Sequence, residues 1–389
     1  MLTGQNVQIL GAGIAGLAAA IAIAARGAHV SVAEQADEIT EVGAGLQISP
    51  NGVAVMDALG LGAKLREIAT RATAVNLLDY RHDRRVLCMD LATHARDQDY
   101  MFVHRADLID LLAAGARAVG VEIALGRRAV AVQDGENAAQ ITWQDGTLSS
   151  SNLLVAADGL SSCARAGVTG VQEPFFTGQV AWRALVPGDG TSPDEVTVHM
   201  GPGRHLVQYP LRQGRLMNIV AVQEQGEWTQ EGWQQPGDPD TLRAVFSDFS
   251  DAVQNRLAQV DDVNVWGLFR HAIAQKWSSR HVILTGDAVH PTLPFLAQGA
   301  TMGLEDAWVL ADCLAAHDMP LAGAAYQTRR HDRVARVIAA ANANARNYHL
   351  RHPVGRMAAH TLLRVAGTLA PKQVVGRFDW LYRHDVTAS

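Results

Sequence analysis

The chain has 389 residues, 48 % of them hydrophobic, and a formal net charge of −6. That is enough apolar side chain for one large core or two interleaved ones, and the mild negative balance, with no block of five like charges, argues against nucleic acid or an anionic membrane as partner. Three cysteines (Cys88, Cys163, Cys313) stand far apart with no C-x-x-C pair, so they read as buried or idle thiols in a reducing compartment, with the cytoplasm as the default location.

Val7, Ile9 and Leu10 form an apolar run that ends at Gly11-Ala12-Gly13-Ile14-Ala15-Gly16, and helical spacing continues from Leu17 to Ala25. A second apolar run, His29 to Ala33, stops at Glu34. Strand, glycine turn, helix, strand, acid is the order of a dinucleotide site. Gly11, Gly13 and Gly16 permit the tight turn and bring backbone close to a pyrophosphate at the helix N-terminus, while Glu34 accepts from a ribose hydroxyl. A carboxylate there repels a 2′-phosphate, so FAD or NAD is expected and not NADP. The stretch Ile14 to Ala25 is too short to cross a bilayer and lacks the basic flank of a signal peptide.

The glycine-rich loop Gly43-Ala44-Gly45 precedes a predicted helix from Asn51 to Leu59. Val75 to Met89 reads as two strands turning at His82-Asp83, and Arg105 to Val119 carries apolar residues at helical spacing. Strands follow through Val130, Ile141 and Leu153, with a turn at Asp145-Gly146. From Gly178 to Val222 short apolar runs are separated by Pro187-Gly188-Asp189-Gly190, Gly201-Pro202-Gly203 and Gln213-Gly214, which predicts an inserted antiparallel sheet. A loop spans Glu227 to Asp240, and a single helix is expected over Leu242 to Leu257. Val282 to Leu284 reads as a buried strand, Gly299 to Ala316 and Tyr326 to Asn347 as long helices. The amphipathic stretch His360 to Tyr382, broken by Gly367, Pro371 and Gly376, is expected to pack as a terminal helix and not to lie on a membrane.

The expected class is therefore α/β: a Rossmann-like dinucleotide-binding domain with a parallel sheet, an inserted mainly antiparallel substrate sheet, and a C-terminal helical segment. The parallel sheet must be completed by a strand from late in the chain. Expected boundaries are 1–75, 101–175 and 266–345 for the nucleotide domain, 76–100 and 176–265 for the sheet domain, and 346–389 for the C-terminal segment.

Two further motifs sit at strand ends. Asp158-Gly159 turns the chain after Leu153 to Ala157, and Ser162 and Arg165 share one helical face, so Arg165 offers a forked donor to a phosphate or carboxylate. Taken alone, this reads equally as a strand-end turn with a structural Asp–Arg pair. Gly286-Asp287-Ala288 follows the strand Val282 to Leu284, which places Asp287 where a carboxylate accepts from polyol hydroxyls. Pro294 and Gln298-Gly299-Ala300 lead into a helix whose free N–H groups and positive end suit an anion. Glu305 and Asp306 read mainly as first-turn acids complementing that dipole. The histidines His349, His352, His360 and His384 lack metal-ligand spacing, and no metal site is expected.

These motifs, G-x-G-x-x-G…E, His104-Arg105-Ala106-Asp107-Leu108, D-G-x-x-S-x-x-R and G-D-A-x-H-x-x-x-P, together resemble the class A FAD-dependent aromatic hydroxylases over nearly the whole chain. A closer resemblance, to the branch of salicylate hydroxylase, 3-hydroxybenzoate 6-hydroxylase and 6-hydroxynicotinate 3-monooxygenase, rests on Gly43-Ala44-Gly45-Leu46-Gln47, His205 to Leu211 and Leu296 to Ala300. The family often has a basic residue after the acid, where this chain has Gln35. The resemblance implies FAD contacts at Gly11, Gly13, Ala15, Gly16, Glu34, Gly45, Gln47, Arg105, Asp158, Arg165, Gly286, Asp287, Pro294, Gly299 and Ala300. It implies a substrate pocket at His205, Tyr209 and Gln298. On a strand, residues four apart share a face, so His205 and Tyr209 stand about 13 Å apart along it.

The implied activity is hydroxylation of a small phenolic or N-heteroaromatic acid, with NADH or NADPH as reductant and O₂ activated as the flavin C4a-hydroperoxide. His205 is the expected base for the phenolic proton, with an imidazole pKa near neutral and little tuning. No second glycine motif exists for the nicotinamide, so NADH and NADPH are not distinguished. The competing expectation is a flavin dehydrogenase or reductase of the same fold. A homodimer is expected by analogy alone.

Overall fold

The computed structural model describes residues 1–39, 44–170, 173–228, 235–319 and 321–388, the side chains at 345 and 346 excepted. Gly43 of the glycine-rich loop and part of the 227–240 loop lie outside the described residues.

Asn6–Leu10 forms the middle strand of a five-stranded parallel sheet, flanked by His29–Ala33 and Leu154–Ala156. Val282–Leu284 lies parallel against Leu154–Ala156 and ends the sheet, so a strand from late in the chain does complete the N-terminal unit. The helix Ile14–Ala24 is apolar all round and almost wholly buried, packed against the helix Gly299–Ala316. The contact is close because the facing residues are small: a Cβ at Gly303 would lie 3.0 Å from the Ala15 Cβ.

The second body is an eight-stranded sheet in the order 235–237, 263–270, 175–187, 216–224, 204–211, 195–201, 74–79, 85–90. Its pairings are antiparallel except for Glu195–Gly201 beside Ala74–Asp79. Val263–Arg270 belongs to this sheet although it straddles the expected boundary at 265, because its pairing partner is the long strand Phe175–Pro187. A three-stranded sheet of Gly45–Ile48, Met101–His104 and Thr70–Arg71 bridges the two bodies. The Gly45 N–H donates to Asn218 Oδ1 of the large sheet at 2.7 Å.

The single helix expected over Leu242 to Leu257 is two helices, Pro239–Val245 and Asp251–Leu257. Leu242, Phe246, Phe249, Val253 and Leu257 are all buried in one cluster, and their spacing mimics one continuous apolar face. Ser250 breaks the run, its hydroxyl accepting from the Val253 N–H to start the second helix.

The C-terminal helix Pro353–Leu369 packs along Arg85–Asp90, but only one face is covered, and Val354, Met357, Leu362, Val365 and Leu369 are exposed. No helix among the described residues is long and apolar enough to cross a membrane.

Candidate active site

The glycine turn follows from sterics. Gly11 has φ +95°, and a Cβ there would lie 2.4 Å from the Ala157 carbonyl oxygen. A Cβ at Gly16 would lie 2.0 Å from the Gly11 carbonyl oxygen. Gly13 differs from both: a Cβ there meets nothing within 4 Å, and its backbone opens into a long cavity between the two sheets. The Glu34 carboxylate accepts from the Ala12 N–H at 2.7 Å and the Ala36 N–H at 3.0 Å, which ties the end of the second strand to the glycine turn.

The cavity runs from Gly13 and Ala15, past Gly286, Asp287, Pro294, Gly299 and Ala300, to the strand Arg204–Leu211. Gly45, Gln47, Arg105, His205 and Tyr209 also line it. Gly11, Gly16, Glu34, Asp158, Arg165 and Gln298 do not contribute to its walls. Arg165 instead donates to the carbonyls of Ala272 at 2.6 Å and Ala288 at 3.2 Å, pinning the Gly286–Ala288 turn from behind. Asp158 Oδ2 accepts weakly from the Ala164 N–H at 3.4 Å, and burial raises the pKa of its carboxyl against the hydrogen bond from Ser162. The Gln298 amide is buried on the side of the helix Pro50–Ala58, donating to Ser49 Oγ at 2.8 Å.

His205 and Tyr209 share the face predicted for them, and both are buried. Burial, together with the neighbouring His349, pushes His205 well below the usual histidine range. The near-neutral pKa expected for it is thus corrected: in this cavity the ring is held neutral. Burial raises the Tyr209 phenol, opposed by the charge of Arg183. A Cβ at Gly45 would lie 2.7 Å from the Tyr209 ring and 2.8 Å from the Asn218 carboxamide. Gly45→Ala is therefore expected to displace the Tyr209 ring and weaken binding of a ligand on this face of the cavity at least about tenfold, roughly 1.4 kcal/mol; steady-state kinetics checks it as a raised KM.

Sequence reasoning left Arg183 unassigned. It lines the cavity between Tyr209 and Arg105, its guanidinium over the Trp266 ring at 5.0 Å and its buried Nε without a hydrogen-bond partner. Burial and the charge of Arg183 lower Arg105 to about 10, while Asp287 opposes the shift. Asp287 itself is raised by burial, against His290 and Arg105. Arg204 points elsewhere, donating to Asp248 at 3.1 Å and to the Val245 carbonyl. Tyr348 and Tyr382, from the end of the long helix and the C-terminal segment, also line the cavity. No sequence signal marks them.

Glu305 and Asp306 correct the reading as first-turn acids. Both are fully buried in the second turn of Gly299–Ala316. Arg330 donates to Glu305 at 2.6 Å and to Asp306 at 2.7 Å, Arg333 to Glu305 at 2.6 Å, and His290 Nε2 lies 2.6 Å from Asp306. Burial alone would raise both carboxyls, but Arg330, with Arg333 at Glu305 and His290 at Asp306, outweighs it and lowers them. Among the described residues no cluster could hold a metal ion.

The geometry suits a flavin dinucleotide: bare Gly13 backbone facing open space at a helix start, an acid at the next strand end, and Asp287 and Arg105 deeper in the same cavity. A family profile described as FAD binding domain matches residues 5–341. The chain belongs to the class A flavoprotein hydroxylases. The hydroxylase is 33 % identical over 97 % of its length to 3-amino-4-hydroxybenzoate 2-monooxygenase of Streptomyces cremeus, covering 94 % of that protein. It is 31 % identical to 3-hydroxybenzoate 6-hydroxylase 1 of Aquipseudomonas alcaligenes, covering 97 % of each. Among solved structures, Klebsiella pneumoniae HpxO complexed with FAD and uric acid superposes with a TM-score of 0.85 at 26 % identity, over 96 % of both chains. The hydroxylase is thus an FAD-dependent aromatic-ring monooxygenase that uses NAD(P)H and O₂, and the competing dehydrogenase reading falls away.

Proposed function

We propose that the substrate is a small phenolic acid, of the hydroxybenzoate or hydroxypyridine carboxylate kind, held against the face that carries His205 and Tyr209. The observation that carries this reading is the single cavity joining the glycine turn to that face. Bound FAD, reduced by NAD(P)H, supplies the activation of O₂ for transfer to an electron-rich ring carbon. The chain's own residues prepare that carbon. His205, neutral because it is buried, takes the phenolic proton, and the resulting phenolate is the more nucleophilic ring. Arg183, buried without a hydrogen-bond partner at Nε, receives the carboxylate, and its charge together with that of Arg105 favours an anionic ligand. Tyr209 packs against the ring. Gln298, Asp158 and Arg165 act behind the walls, fixing the loops on which the cofactor rests, and Glu34 holds the glycine turn through the Ala12 N–H. Burial of the ring excludes water from the reacting centre. The hydroxylase works as a cytoplasmic enzyme in this reading.

Purified protein is expected to be yellow, and one acid from a panel of hydroxybenzoates and hydroxypyridine carboxylates is expected to accelerate NADH or NADPH oxidation with one hydroxylated product per reductant consumed. His205→Ala is expected to keep its flavin while coupled hydroxylation falls about 10²–10⁴-fold, the range of general-base catalysis. Product quantification by chromatography checks it, and unchanged coupled turnover removes His205 from the reaction.

A further inference from the structure

His205 is the inner end of a hydrogen-bonded chain that reaches solvent. Its Nδ1 lies 2.7 Å from His349 Nε2, and His349 Nδ1 lies 3.1 Å from Glu224 Oε1. Both imidazoles are buried, whereas the Glu224 side chain is 30 % exposed and pairs with the largely exposed Arg351. The three groups come from separate parts of the chain. His205 sits on Arg204–Leu211, Glu224 ends the neighbouring strand Leu216–Glu224, and His349 follows the helix Leu321–Tyr348. Backbone bonds hold them in register: the Glu224 N–H donates to the Gly203 carbonyl at 2.9 Å and the Gly203 N–H to the His349 carbonyl at 3.3 Å.

The chain orders its own tautomers. A carboxylate only accepts, so His349 carries its hydrogen on Nδ1 and presents Nε2 as an acceptor. His205 must then donate from Nδ1, which leaves Nε2 as its lone-pair nitrogen. His205 is thereby fixed as a base toward the cavity it lines.

We propose that His205, His349 and Glu224 form a proton relay that carries the substrate's phenolic proton from the buried cavity to bulk water. The proposal rests on the reading of His205 as base. As the phenol O–H bond breaks, an N–H bond forms at His205 Nε2. The proton on His205 Nδ1 moves to His349 Nε2, the one on His349 Nδ1 moves to Glu224, and one proton leaves to solvent with no change in electron count. The reverse transfer returns a proton to the product's oxygen and restores both starting tautomers. The relay answers a difficulty of the site, since burial disfavours a proton resting on His205. Other groups facing the chain are the Gln179 amide and Arg351 at His349, and the rings of Phe295 and Tyr348 at His205. Burial lowers His349 as well, with Glu224 opposing and Arg351 adding to the shift, so it too passes a proton on more readily than it stores one.

The test mixes oxidised, FAD-loaded enzyme with 3-amino-4-hydroxybenzoate and 3-hydroxybenzoate in turn, in weak buffer with an indicator dye, and follows phenolate absorbance and proton release by stopped flow. Wild type is expected to release one proton per site as phenolate forms. His349→Ala and His349→Gln are expected to bind the phenol within about threefold of wild type but to ionise it about 100-fold more slowly. The glutamine variant keeps a hydrogen-bonding side chain of similar reach, which guards against a mere packing effect. Added imidazole is expected to restore the rate in His349→Ala, and Glu224→Gln to slow release and alter its pH profile. Wild-type rates in folded, flavin-replete His349 variants, or slow rates untouched by imidazole, overturn the relay while leaving the phenolic-acid reading intact. Absence of phenolate and released proton in wild type with both acids overturns that reading and the relay together.

Discussion

Arg330→Met is expected to lower the unfolding free energy by about 3–5 kcal/mol, the range for breaking a buried ion pair from one side. Arg330 is 1 % exposed and bonds both Glu305 and Asp306, which are fully buried. After the substitution Glu305 keeps Arg333, but Asp306 keeps only His290. A carboxylate in that position loses a substantial part of its compensation, with His290 retained, while its desolvation cost remains. The pH dependence gives the mechanism away. In the wild type both carboxyls titrate below their ordinary values, so their contribution is present above an unfolded pKa of about 4 and is lost as pH falls through the lower folded values. In the variant burial is less opposed and the Asp306 pKa rises above its unfolded value. Its penalty is then full near neutral pH and disappears on acidification. The gap between the two proteins should be widest at pH 7 and close below about pH 4. Urea denaturation followed by tryptophan fluorescence at several pH values measures it. Adding Asp306→Asn to the variant should recover part of the loss at pH 7; a gap independent of pH would assign the effect to packing instead.

The nucleotide half was legible because its constraints are local. The turn from Gly11 to Gly16 is dictated by backbone contacts within a few residues and one neighbouring strand, and the helix Gly299–Ala316 has the bounds that its apolar spacing and flanking loop predict. The face shared by His205 and Tyr209 was legible for the same reason, since alternation on a strand needs no knowledge of the partner. What the sequence hid depends on distant segments. His349 lies 144 residues from His205 along the chain, and nothing in the pattern around either announces the bond between them. Glu305 and Asp306 looked like ordinary acids near a helix start because the arginines that neutralise them come from the next helix, one turn apart at Arg330 and Arg333. The break at Ser250 was masked because Phe246 and Phe249 continue the apolar spacing across it. Local geometry is written in residue types, whereas pairings between elements are settled by which surfaces meet.

Gly16→Ala and Gly13→Ala are expected to weaken flavin binding by different routes, and comparing them separates a packing glycine from a cofactor glycine. A Cβ at Gly16 would sit 2.0 Å from the Gly11 carbonyl oxygen and 3.3 Å from the Ala157 Cβ. The first obstacle is backbone, which has no rotamer to give way. The start of the helix Ile14–Ala24 must move off the sheet, and that helix is buried almost all round. Strain of this kind costs about 1–3 kcal/mol in folding, and it also misaims the free N–H groups that would meet the pyrophosphate. Beyond its own chain neighbours, nothing lies within 4 Å of where a Cβ at Gly13 would go, so alanine is expected to leave the apoprotein undisturbed. That same space opens to the cavity, where a methyl group displaces the phosphate from the helix N-terminus. Both variants are expected to weaken FAD binding by about 100-fold, equivalent to roughly 2.7 kcal/mol. Only Gly16→Ala is expected to shift the urea midpoint of the flavin-free protein. Titration of apoprotein with FAD, read by quenching of flavin fluorescence, gives the first quantity and denaturation of the same samples the second. Normal FAD affinity in Gly13→Ala would mean that the pyrophosphate does not lie against this turn, and the cavity's assignment as the flavin site would fail with it.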